Sequence, residues 1–438
     1  MSSDGEPPVH RVRVLDRPVA TTVRVPGSKS ISNRVLLCAA LADGASYVSN
    51  LAPGDDTTAM LDCVAALGAG VLRETAVGGR DDVPVMIEGS SGRLRPGPVA
   101  LSTRLAGTTS RFVTALAALG AGPYLIDGEP PLRRRPMTPL HDALVSLGAT
   151  LTPGATWGHL PVTVSGPLTA TAHASTTVSI RGDVSSRYVS ALMMIAPYLP
   201  HGLRIMLTSE LVSPSYVGIT VAVMSKFGVD GVEVDGRSIV VPSGRYVGTD
   251  ISVEPDASSA SYPLSAAAIV GGSVSVPGLN AASLQGDARF ADVLATMGCD
   301  VWVDDHGTTV VRDGPLRGID IDMVDMSDLV PTLAVVAPFA HTRTTIRGVG
   351  FIREKESDRL GDLCRELRRA GVRALETADG LQIEPGPPGP ARLGTHHDHR
   401  LAMAFGLFGL YVDGIEVEDP SVVSKSWPGY WSMLEDLE

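Results

Sequence analysis

Charged and polar side chains stand at the starts of five apolar, helix-like stretches. These starts are Gly27-Ser28-Lys29-Ser30 with Arg34, Gly107-Thr108-Thr109 with Arg111, Ser185-Ser186-Arg187, Asp328, and Asp398-His399-Arg400. Helix capping accounts for a single Ser, Thr or Asp. It does not account for the cations, since positive charge at a helix N-terminus opposes the helix dipole. Several N-termini with backbone N–H donors and nearby cations make an anion site, most naturally for phosphate.

Three further clusters support an anion site in an acidic chain. They are Arg133-Arg134-Arg135-Pro136, the stretch Arg353–Arg359, and Ser424-Lys425-Ser426-Trp427-Pro428. Each alone reads equally well as a solvated charged loop. Glu356 lies beside Lys355 and close to Arg359, so burial against these cations would set its protonation state, and it is a candidate acid or base. His399 is either structural or catalytic.

Motifs for nucleotides, metals and hydrolytic triads are missing. The sequence has no GxxxxGK[ST], GxSxG or HExxH string, and no GxGxxG between a strand and a helix. Its four cysteines, which are far apart, are predicted to be buried free thiols in a reducing cytosol. The anions are therefore expected to be small-molecule phosphates or carboxylates without a nucleotide, and no metal-binding cluster is visible in the sequence.

An internal repeat supplies the elements that must position these groups. Six apolar helical stretches open near Lys29, Gly107, Ser185, Ala257, Asp328 and Asp398, at intervals of 70 to 78 residues. Each is followed by a β-rich run and a second helix. The first five second helices end at a Leu-Gly-Ala-like triplet, and glycine there is the expected helix terminator.

The first helix of each unit is apolar nearly all round, as in LSAAAIV and ALMMIA. Such helices are buried rather than amphipathic. We therefore expect an α/β fold of six repeated units with helices inside and sheets outside. A grouping into two domains of three units, with a break near residue 250, is suggested by the greater length of the first units.

Composition excludes other classes of protein. The chain has 438 residues, 44% of them hydrophobic and 19% charged, which is enough for sizeable cores. Its net charge of −12 argues against a nucleic-acid binder that works through a basic face. No apolar run reaches the length of a membrane span, and Met1–Pro8 lacks signal-peptide character, so a cytoplasmic protein is predicted.

Strings along nearly the whole chain resemble the 5-enolpyruvylshikimate-3-phosphate synthase family. The specific ones are Val25-Pro26-Gly27-Ser28-Lys29-Ser30-Ile31-Ser32-Asn33-Arg34, Lys355-Glu356-Ser357-Asp358-Arg359-Leu360 and Asp398-His399-Arg400. Weaker matches are Asp55-Asp56-Thr57, Ala106-Gly107-Thr108, Arg135-Pro136, Val184-Ser185-Ser186, Asp256–Tyr262, Gln285-Gly286-Asp287 and Lys425.

The resemblance implies a fold and a reaction. The fold is a two-domain inverse α/β barrel, with residues 28–253 as the upper, acceptor-binding domain. Residues 1–27 plus 254–438 form the lower domain, which carries phosphoenolpyruvate and acid/base residues. The reaction transfers the enolpyruvyl group of phosphoenolpyruvate to the 5-hydroxyl of shikimate 3-phosphate by addition and elimination. A monomer without metal or cofactor is implied.

The resemblance also implies residue roles. Ser30 and Arg34 would hold the shikimate carboxylate, and Ser185, Ser186 and Lys355 its 3-phosphate. Phosphoenolpyruvate would be held by Arg135, Arg359, Arg400 and Lys425, with Lys29 between the two substrates. Asp328 would take the 5-hydroxyl proton and Glu356 would protonate the methylene carbon, with His399 as a further catalytic candidate. Gly107, Thr108, Arg187 and Tyr216 complete the substrate-binding set.

Three positions depart from the family pattern around the acceptor. Arg187 stands in place of Gln, Phe351 near the place of an Asn or His, and Leu105 in place of an Asn. One alternative is therefore a specialised paralogue acting on a modified cyclohexene acid. A UDP-N-acetylglucosamine enolpyruvyl transferase would carry a Cys in the loop Asp127–Leu132, which has none. A non-catalytic anion-binding repeat protein is the third alternative.

Overall fold

The computed structural model describes residues 7–73, 84–168 and 176–437. Residues 1–6, part of the N-terminal stretch judged not to be a signal peptide, lie outside these ranges. The helices are α1 Lys29–Leu41, α2 Asp55–Ala66, α3 Gly107–Ala117, α4 Pro130–Arg133, α5 Thr138–Ser146, α6 Ser186–Ile195, α7 Ser215–Lys226, α8 Ala257–Val270, α9 Phe290–Met297, α10 Val330–Val336, α11 Gly361–Arg369, α12 His399–Gly409 and α13 Tyr430–Glu435. No helix of the described ranges is both long and apolar enough to cross a membrane.

The strands are short. They are β1 Val9–Arg11, β2 Val19–Thr22, β3 Ala45–Ser49, β4 Gly70–Arg73, β5 Val85–Glu88, β6 Val99–Ser102, β7 Tyr124–Asp127, β8 Thr150–Pro153, β9 Val162–Ser165, β10 Thr177–Ile180, β11 Leu203–Leu207, β12 Glu233–Asp235, β13 Ser238–Val241, β14 Ile251–Ser252, β15 Gly272–Pro277, β16 Asp300–Val303, β17 Gly307–Arg312, β18 Asp320–Asp322, β19 Thr344–Arg347, β20 Ala374–Glu376, β21 Leu381–Ile383, β22 Ala391–Leu393 and β23 Ile415–Glu418.

Two compact units divide the chain. One is Gly27–Glu254, which we call the continuous unit; the other joins Met1–Pro26 to Pro255–Glu438 and is called the split unit. Each has its own hydrophobic core. The central helices are buried on all sides, as predicted: every residue of α3 and of α12 is buried, including the polar residues of their first turns.

Each unit contains three sheets among its described residues. The continuous unit has the orders β14-β3-β5-β4, β6-β7-β9-β8 and β10-β11-β13-β12, and the split unit has β2-β15-β17-β16, β18-β19-β21-β20 and β22-β23-β1. The first two strands of each order are parallel and the remaining neighbours are antiparallel. A parallel pair needs a crossover, and the central helix supplies it, as α3 does between β6 and β7. The mixed α/β fold predicted from the repeat is therefore confirmed.

Strands β2 and β14 lie next to the two points where the chain passes between the units, and each pairs with a strand that is distant in the sequence. Strand β2 precedes α1 in sequence but pairs with β15, so that Val19 lies opposite Gly272. Strand β14 precedes α8 but pairs with β3, so that Ile251 lies opposite Val48. The N-terminal segment is fixed to the split unit further along, because β1 pairs with β23 and the N–H of Leu15 donates to the Leu410 carbonyl at 3.0 Å.

The second helices end as the sequence pattern predicts. The glycines after the apolar run have positive φ angles, between +83° and +113°, in the left-handed region that favours glycine. They are Gly68, Gly148, Gly228, Gly298 and Gly371. The N–H of the following residue donates to the carbonyl five positions back at 3.0–3.1 Å in all five cases, which is the Schellman arrangement.

The four cysteines are buried and free, as predicted. Burial raises the pKa of the Cys38 and Cys63 thiols to about 12, so these thiols stay protonated and behave as small apolar side chains.

Candidate active site

An arginine surrounded by carboxylates lies at the centre of the polar groups of the split unit. The Arg359 side chain is 1% exposed and donates to Asp328 Oδ1 at 2.8 Å, to Glu356 Oε2 at 2.7 Å and to Asp398 Oδ2 at 2.7 Å. Burial by itself lowers the pKa of the guanidinium, but the carboxylates of Asp398, Glu356 and Asp328 raise it on balance. Arg359 is therefore a permanent cation that orients three carboxylates.

Asp328 has cations against both of its oxygens. Oδ1 accepts from Arg359 Nη1 and lies 3.6 Å from Lys355 Nζ, while Oδ2 accepts from Arg400 Nη2 at 2.9 Å. The Asp328 side chain is only 6% exposed, so little water screens these contacts. Three positive neighbours stabilise the ionised carboxylate, which can then accept a proton from a substrate hydroxyl.

Asp328 lies outside the helix that it was predicted to open. It belongs to a 3₁₀ segment, Val324–Leu329, and α10 begins only at Val330. Pro331 explains the boundary, since proline is tolerated in the first helical turn, where its missing N–H costs nothing. Met326, with φ −124° and ψ 35°, breaks the segment before Asp328. The carboxylate thus sits on tight, irregular backbone in front of the buried helix.

Glu356 and Lys355 follow another 3₁₀ segment, Gly350–Glu354. The Glu356 side chain is 14% exposed, so it combines a fixed bond to Arg359 with access from outside. Lys355 Nζ lies 5.7 Å from the centroid of the Phe351 ring, within cation–π range. One of the residues that depart from the family pattern is thus in contact with a predicted phosphate ligand.

The start of α12 contributes Asp398, His399 and Arg400. Asp398 caps the helix by accepting the Arg400 N–H at 2.9 Å, and it also accepts from Ser357 Oγ at 3.2 Å. Its side chain is completely buried. The His399 imidazole is 1% exposed, with Nδ1 3.7 Å from Asp398 Oδ1. Its catalytic role stays a prediction.

Asp398 is a site residue that the sequence analysis left out of its candidate set. It was quoted only as part of the Asp-His-Arg string, yet two of its bonds hold Arg359. The signal that could have found it is its position: an aspartate at an N-cap, two residues before a predicted phosphate-binding arginine.

The loop before Asp398 is strained and held by a buried carboxylate. His396 and His397 have φ angles of +51° and +57°, which non-glycine residues seldom adopt. The fully buried Glu366 side chain accepts the Gly394 N–H at 3.0 Å and contacts His396 Nε2 at 2.9 Å. The bond to Glu366 raises the pKa of His396. These contacts anchor the segment that leads into α12.

Lys425 ends a 3₁₀ segment, Pro420–Lys425, just before α13, and is 7% exposed. Its predicted position between the central helix and the last helix is confirmed by the element order, while its contact with a substrate stays a prediction.

In the continuous unit, Lys29 is the first residue of α1. Its Nζ lies 3.2 Å from Oδ2 of Asp56, in the first turn of α2, and the two side chains are 14% and 4% exposed. Asp56 is a second residue that the candidate set did not include, although the Asp55-Asp56-Thr57 string had been noted. The acidic pair suits a helix N-terminus, which favours negative charge.

Arg34 is surrounded by protein acceptors. Its Nε donates to Thr220 Oγ1 at 2.8 Å, Nη1 to the Ser30 carbonyl at 2.8 Å, and Nη2 to Ser190 Oγ at 3.1 Å and the Tyr216 carbonyl at 3.2 Å. Burial lowers its pKa to about 10, which still leaves it charged at neutral pH.

Arg111 has the same arrangement in α3. Its Nη1 donates to the Gly107 carbonyl at 3.2 Å, and Nη2 donates to the Pro136 carbonyl at 3.1 Å. Arg34 and Arg111 each bond the carbonyl four residues back, so both brace the first turns of their helices. This structural role of Arg34 and Arg111 was not predicted from the sequence.

Gly107 and Arg135 face each other. Gly107 begins α3, and a Cβ atom there would lie 2.5 Å from Arg135 Nη1. Thr108, next to it, is 8% exposed. The glycine therefore leaves room for the guanidinium of Arg135, which is predicted to bind phosphoenolpyruvate.

The remaining residues that were predicted to bind the acceptor substrate lie at the starts of α6 and α7. Ser185 caps α6 by accepting the Arg187 N–H at 3.4 Å, and Ser186, the first residue of the helix, is 5% exposed. Arg187 is half-buried. Tyr216, in the first turn of α7, has its ring 5.7 Å from the Arg34 guanidinium.

Metal ligands do not cluster in the described part of the chain: no three His, Cys, Asp or Glu side chains there are placed to share an ion.

The sequence matches one family model over residues 16–434, that of EPSP synthase, 3-phosphoshikimate 1-carboxyvinyltransferase. The chain belongs to the EPSP synthase family. It is 42% identical over 422 residues to a 3-phosphoshikimate 1-carboxyvinyltransferase of a Nostoc species and 41% identical to that of Trichormus variabilis, covering 96% of this chain and 97% of each relative.

The fold of this family member matches a solved structure. EPSP synthase from Acinetobacter baumannii aligns with a TM-score of 0.80 at 24% sequence identity, over 97% of both chains. The family assignment predicted from the sequence strings is confirmed.

Proposed function

We propose that this protein transfers the enolpyruvyl group of phosphoenolpyruvate to the 5-hydroxyl of shikimate 3-phosphate and releases phosphate. The name of its relatives, 3-phosphoshikimate 1-carboxyvinyltransferase, supports this activity. The observation that carries the proposal is the Arg359 cluster, in which two candidate proton carriers, Asp328 and Glu356, are held by one buried cation.

The two carboxyl groups divide the proton transfers. In the addition step, Glu356 delivers a proton to the methylene carbon of phosphoenolpyruvate while Asp328 takes the proton of the attacking 5-hydroxyl. The new C–O bond forms at the carbon that bears the phosphate. In the elimination step, the ionised Glu356 takes a proton back from the methyl carbon and the carbon–carbon double bond is restored. The C–O bond to phosphate breaks, and Asp328 passes its proton to the departing phosphate. The partial exposure of Glu356 suits a group that must meet the substrate.

Four cations hold the phosphoenolpyruvate charge in this proposal. They are Arg359, Arg400, Lys425 and Arg135. The first two are already oriented by Asp328, so their positions are set before the substrate arrives. Lys29, oriented by Asp56, would act between the two substrates.

Hydroxyl groups and cations recognise the acceptor. Ser185, Ser186 and Lys355 would bind its 3-phosphate, and Ser30 with Arg34 its carboxylate. The bonds of Arg34 to Ser30 and Thr220 fix the guanidinium, so an acceptor carboxylate would meet a rigid cation. Thr108, Arg187 and Tyr216 would line the same site.

Phosphate release tests the proposal. The purified protein is given phosphoenolpyruvate with shikimate 3-phosphate or with unphosphorylated shikimate, and inorganic phosphate is measured over time. We expect release with the phosphorylated acceptor, little with shikimate, and a loss of at least a hundredfold in Glu356→Gln, since general acid catalysis contributes about 10²–10⁴-fold. Glu354→Gln, on an exposed glutamate two residues earlier, is the matched control. No release by the folded wild-type protein with either acceptor would refute the proposal.

A modified cyclohexene acid is the second candidate acceptor. Arg187 and the Phe351 ring, which packs near Lys355 Nζ, motivate it, since both would change what the acceptor ring meets. Arg187→Gln and Phe351→Asn should then raise turnover with shikimate 3-phosphate. If both variants lower it, shikimate 3-phosphate is the better acceptor.

We further propose a cytoplasmic monomer. Sedimentation equilibrium of the protein with and without both substrates tests the monomeric state, and a mass near 45.7 kDa is expected.

A further inference from the structure

A buried carboxylate outside the Arg359 cluster has no role in the proposed reaction. Asp287 lies in a 3₁₀ segment, Gly286–Arg289, and is 7% exposed. Its Oδ2 accepts the hydroxyl proton of Ser258, the second residue of α8. Burial raises the pKa of Asp287 to about 7, and the charge of Asp328 adds to the effect.

Ser258 connects Asp287 to Arg400. The serine hydroxyl carries one proton and two lone pairs. Because its proton points at Asp287, a lone pair is left to accept from Arg400 Nη2, at 3.3 Å. The same Nη2 donates to Asp328 Oδ2 at 2.9 Å. The guanidinium is planar, so two acceptors on one nitrogen fix its orientation.

The Gln285-Gly286-Asp287 string holds this connection in place. Gln285 Oε1 accepts the Ala257 N–H at 3.1 Å, and Gln285 Nε2 donates to the Pro255 carbonyl at 2.7 Å. One contact is to Ala257, the first residue of α8, and the other is to Pro255, just before the N-cap residue, so both lie close to Ser258 along the chain. The string thereby fixes the distance between the carboxylate and the serine, without help from a substrate.

We propose that Asp287 and Ser258 are positioning residues that orient the Arg400 guanidinium for phosphoenolpyruvate. The hydrogen bonds that connect Asp287 to Arg400 run through Ser258, which bonds both side chains. The inference rests on the proposed function, in which Arg400 binds phosphoenolpyruvate. It predicts a loss in the use of phosphoenolpyruvate that leaves the acceptor unaffected.

A double-mutant cycle tests the inference. Ser258→Ala, Asp287→Asn and the double variant are assayed for KM and kcat with each substrate, and Asp292→Asn, on an exposed residue of α9, is the control. We expect each single variant to raise the KM for phosphoenolpyruvate about fivefold to tenfold, since each removes one hydrogen bond of the connection. The KM for shikimate 3-phosphate should stay within twofold.

The double variant separates positioning from general stability. Because Asp287 acts through Ser258, the double variant should have a KM for phosphoenolpyruvate no higher than that of Ser258→Ala alone. Three outcomes would overturn the inference while the proposed function stands. They are effects of the two variants that multiply in the double variant, equal changes in both KM values, and a lower melting temperature with unchanged kinetics. A wild-type protein without turnover would overturn the proposed function and this inference with it.

Discussion

Replacing Gly107 by alanine tests how closely the backbone approaches Arg135, the cation that is proposed to bind phosphoenolpyruvate. The new Cβ would lie 2.5 Å from Arg135 Nη1, 3.0 Å from Cζ and 3.2 Å from Nη2. Ordinary contacts between such atoms are about 3.5 Å, so the guanidinium must retreat by about 1 Å. The far end of a flexible side chain can do this at little cost in stability. The backbone of α3 need not move.

The retreat should weaken the binding of phosphoenolpyruvate. A hydrogen bond stretched by about 1 Å from its usual 2.9 Å is effectively lost. Hydrogen bonds to charged groups contribute about 1.5–3 kcal/mol, so the KM for phosphoenolpyruvate should rise about 10- to 100-fold. The KM for shikimate 3-phosphate should change little, because Arg135 is not among its proposed ligands.

Steady-state phosphate release at varied phosphoenolpyruvate provides the measurement. Gly218→Ala is the matched control: it is the same change inside a helix of the same unit, with no atom within 4 Å of the new Cβ. It should leave both KM values unchanged. Arg135→Ala should abolish the effect of a second Gly107→Ala change. An unchanged phosphoenolpyruvate KM in Gly107→Ala, or a full additional loss in the Arg135→Ala background, would refute the reasoning.

Three further changes test the framework of the site by urea unfolding. Arg359→Met should cost about 3–5 kcal/mol of unfolding free energy, because it leaves carboxylates buried without a cation, and a loss below about 1 kcal/mol would contradict that account. The raised pKa of His396 means that its stabilisation is complete below the unfolded pKa of 6.5 and is lost as the pH rises through the folded pKa. His396→Gln should therefore destabilise more at about pH 5.5 than at about pH 8.5, and an equal loss at both would remove the ion pair as the cause. Gly371→Ala should cost about 1–2 kcal/mol through its φ of +83° alone, since no atom crowds the new Cβ, whereas a neutral result would argue against strain at the helix end.

The repeat and its helix ends were predictable because they follow from local rules. A run of small and aliphatic residues on every face can only be buried, and a glycine after such a run marks the left-handed end of a helix. Glu356 and Arg359 could be predicted together because they stand in one family string, Lys355-Glu356-Ser357-Asp358-Arg359-Leu360. In each case the information lies within a few consecutive residues.

The remaining features depend on contacts between distant parts of the chain. The pairing of β2 with β15 and of β14 with β3 cannot be read from the local sequence, since both β2 and β14 precede a central helix in the same way. The start of α10 after Asp328 depends on Pro331 and Met326, whose effects on the 3₁₀ segment were not foreseen. Arg34 is predicted to bind an anion, and its bonds to Thr220 and Ser190, more than 150 residues away, could not be predicted from its position in the sequence.

The split unit has a consequence for the order in which the chain can fold during synthesis. Strand β2 has no partner until β15 has been made, and the whole of Gly27–Glu254 separates them. At ribosomal rates of about 5–20 residues per second, that interval is roughly ten to forty-five seconds. Throughout it, the edge of β2 is open to wrong pairing or to a chaperone. The continuous unit needs no such delay, since its last strand, β14, follows directly on the rest. Strand β1 waits longer still, because its partner, β23, lies far beyond β15 in the chain.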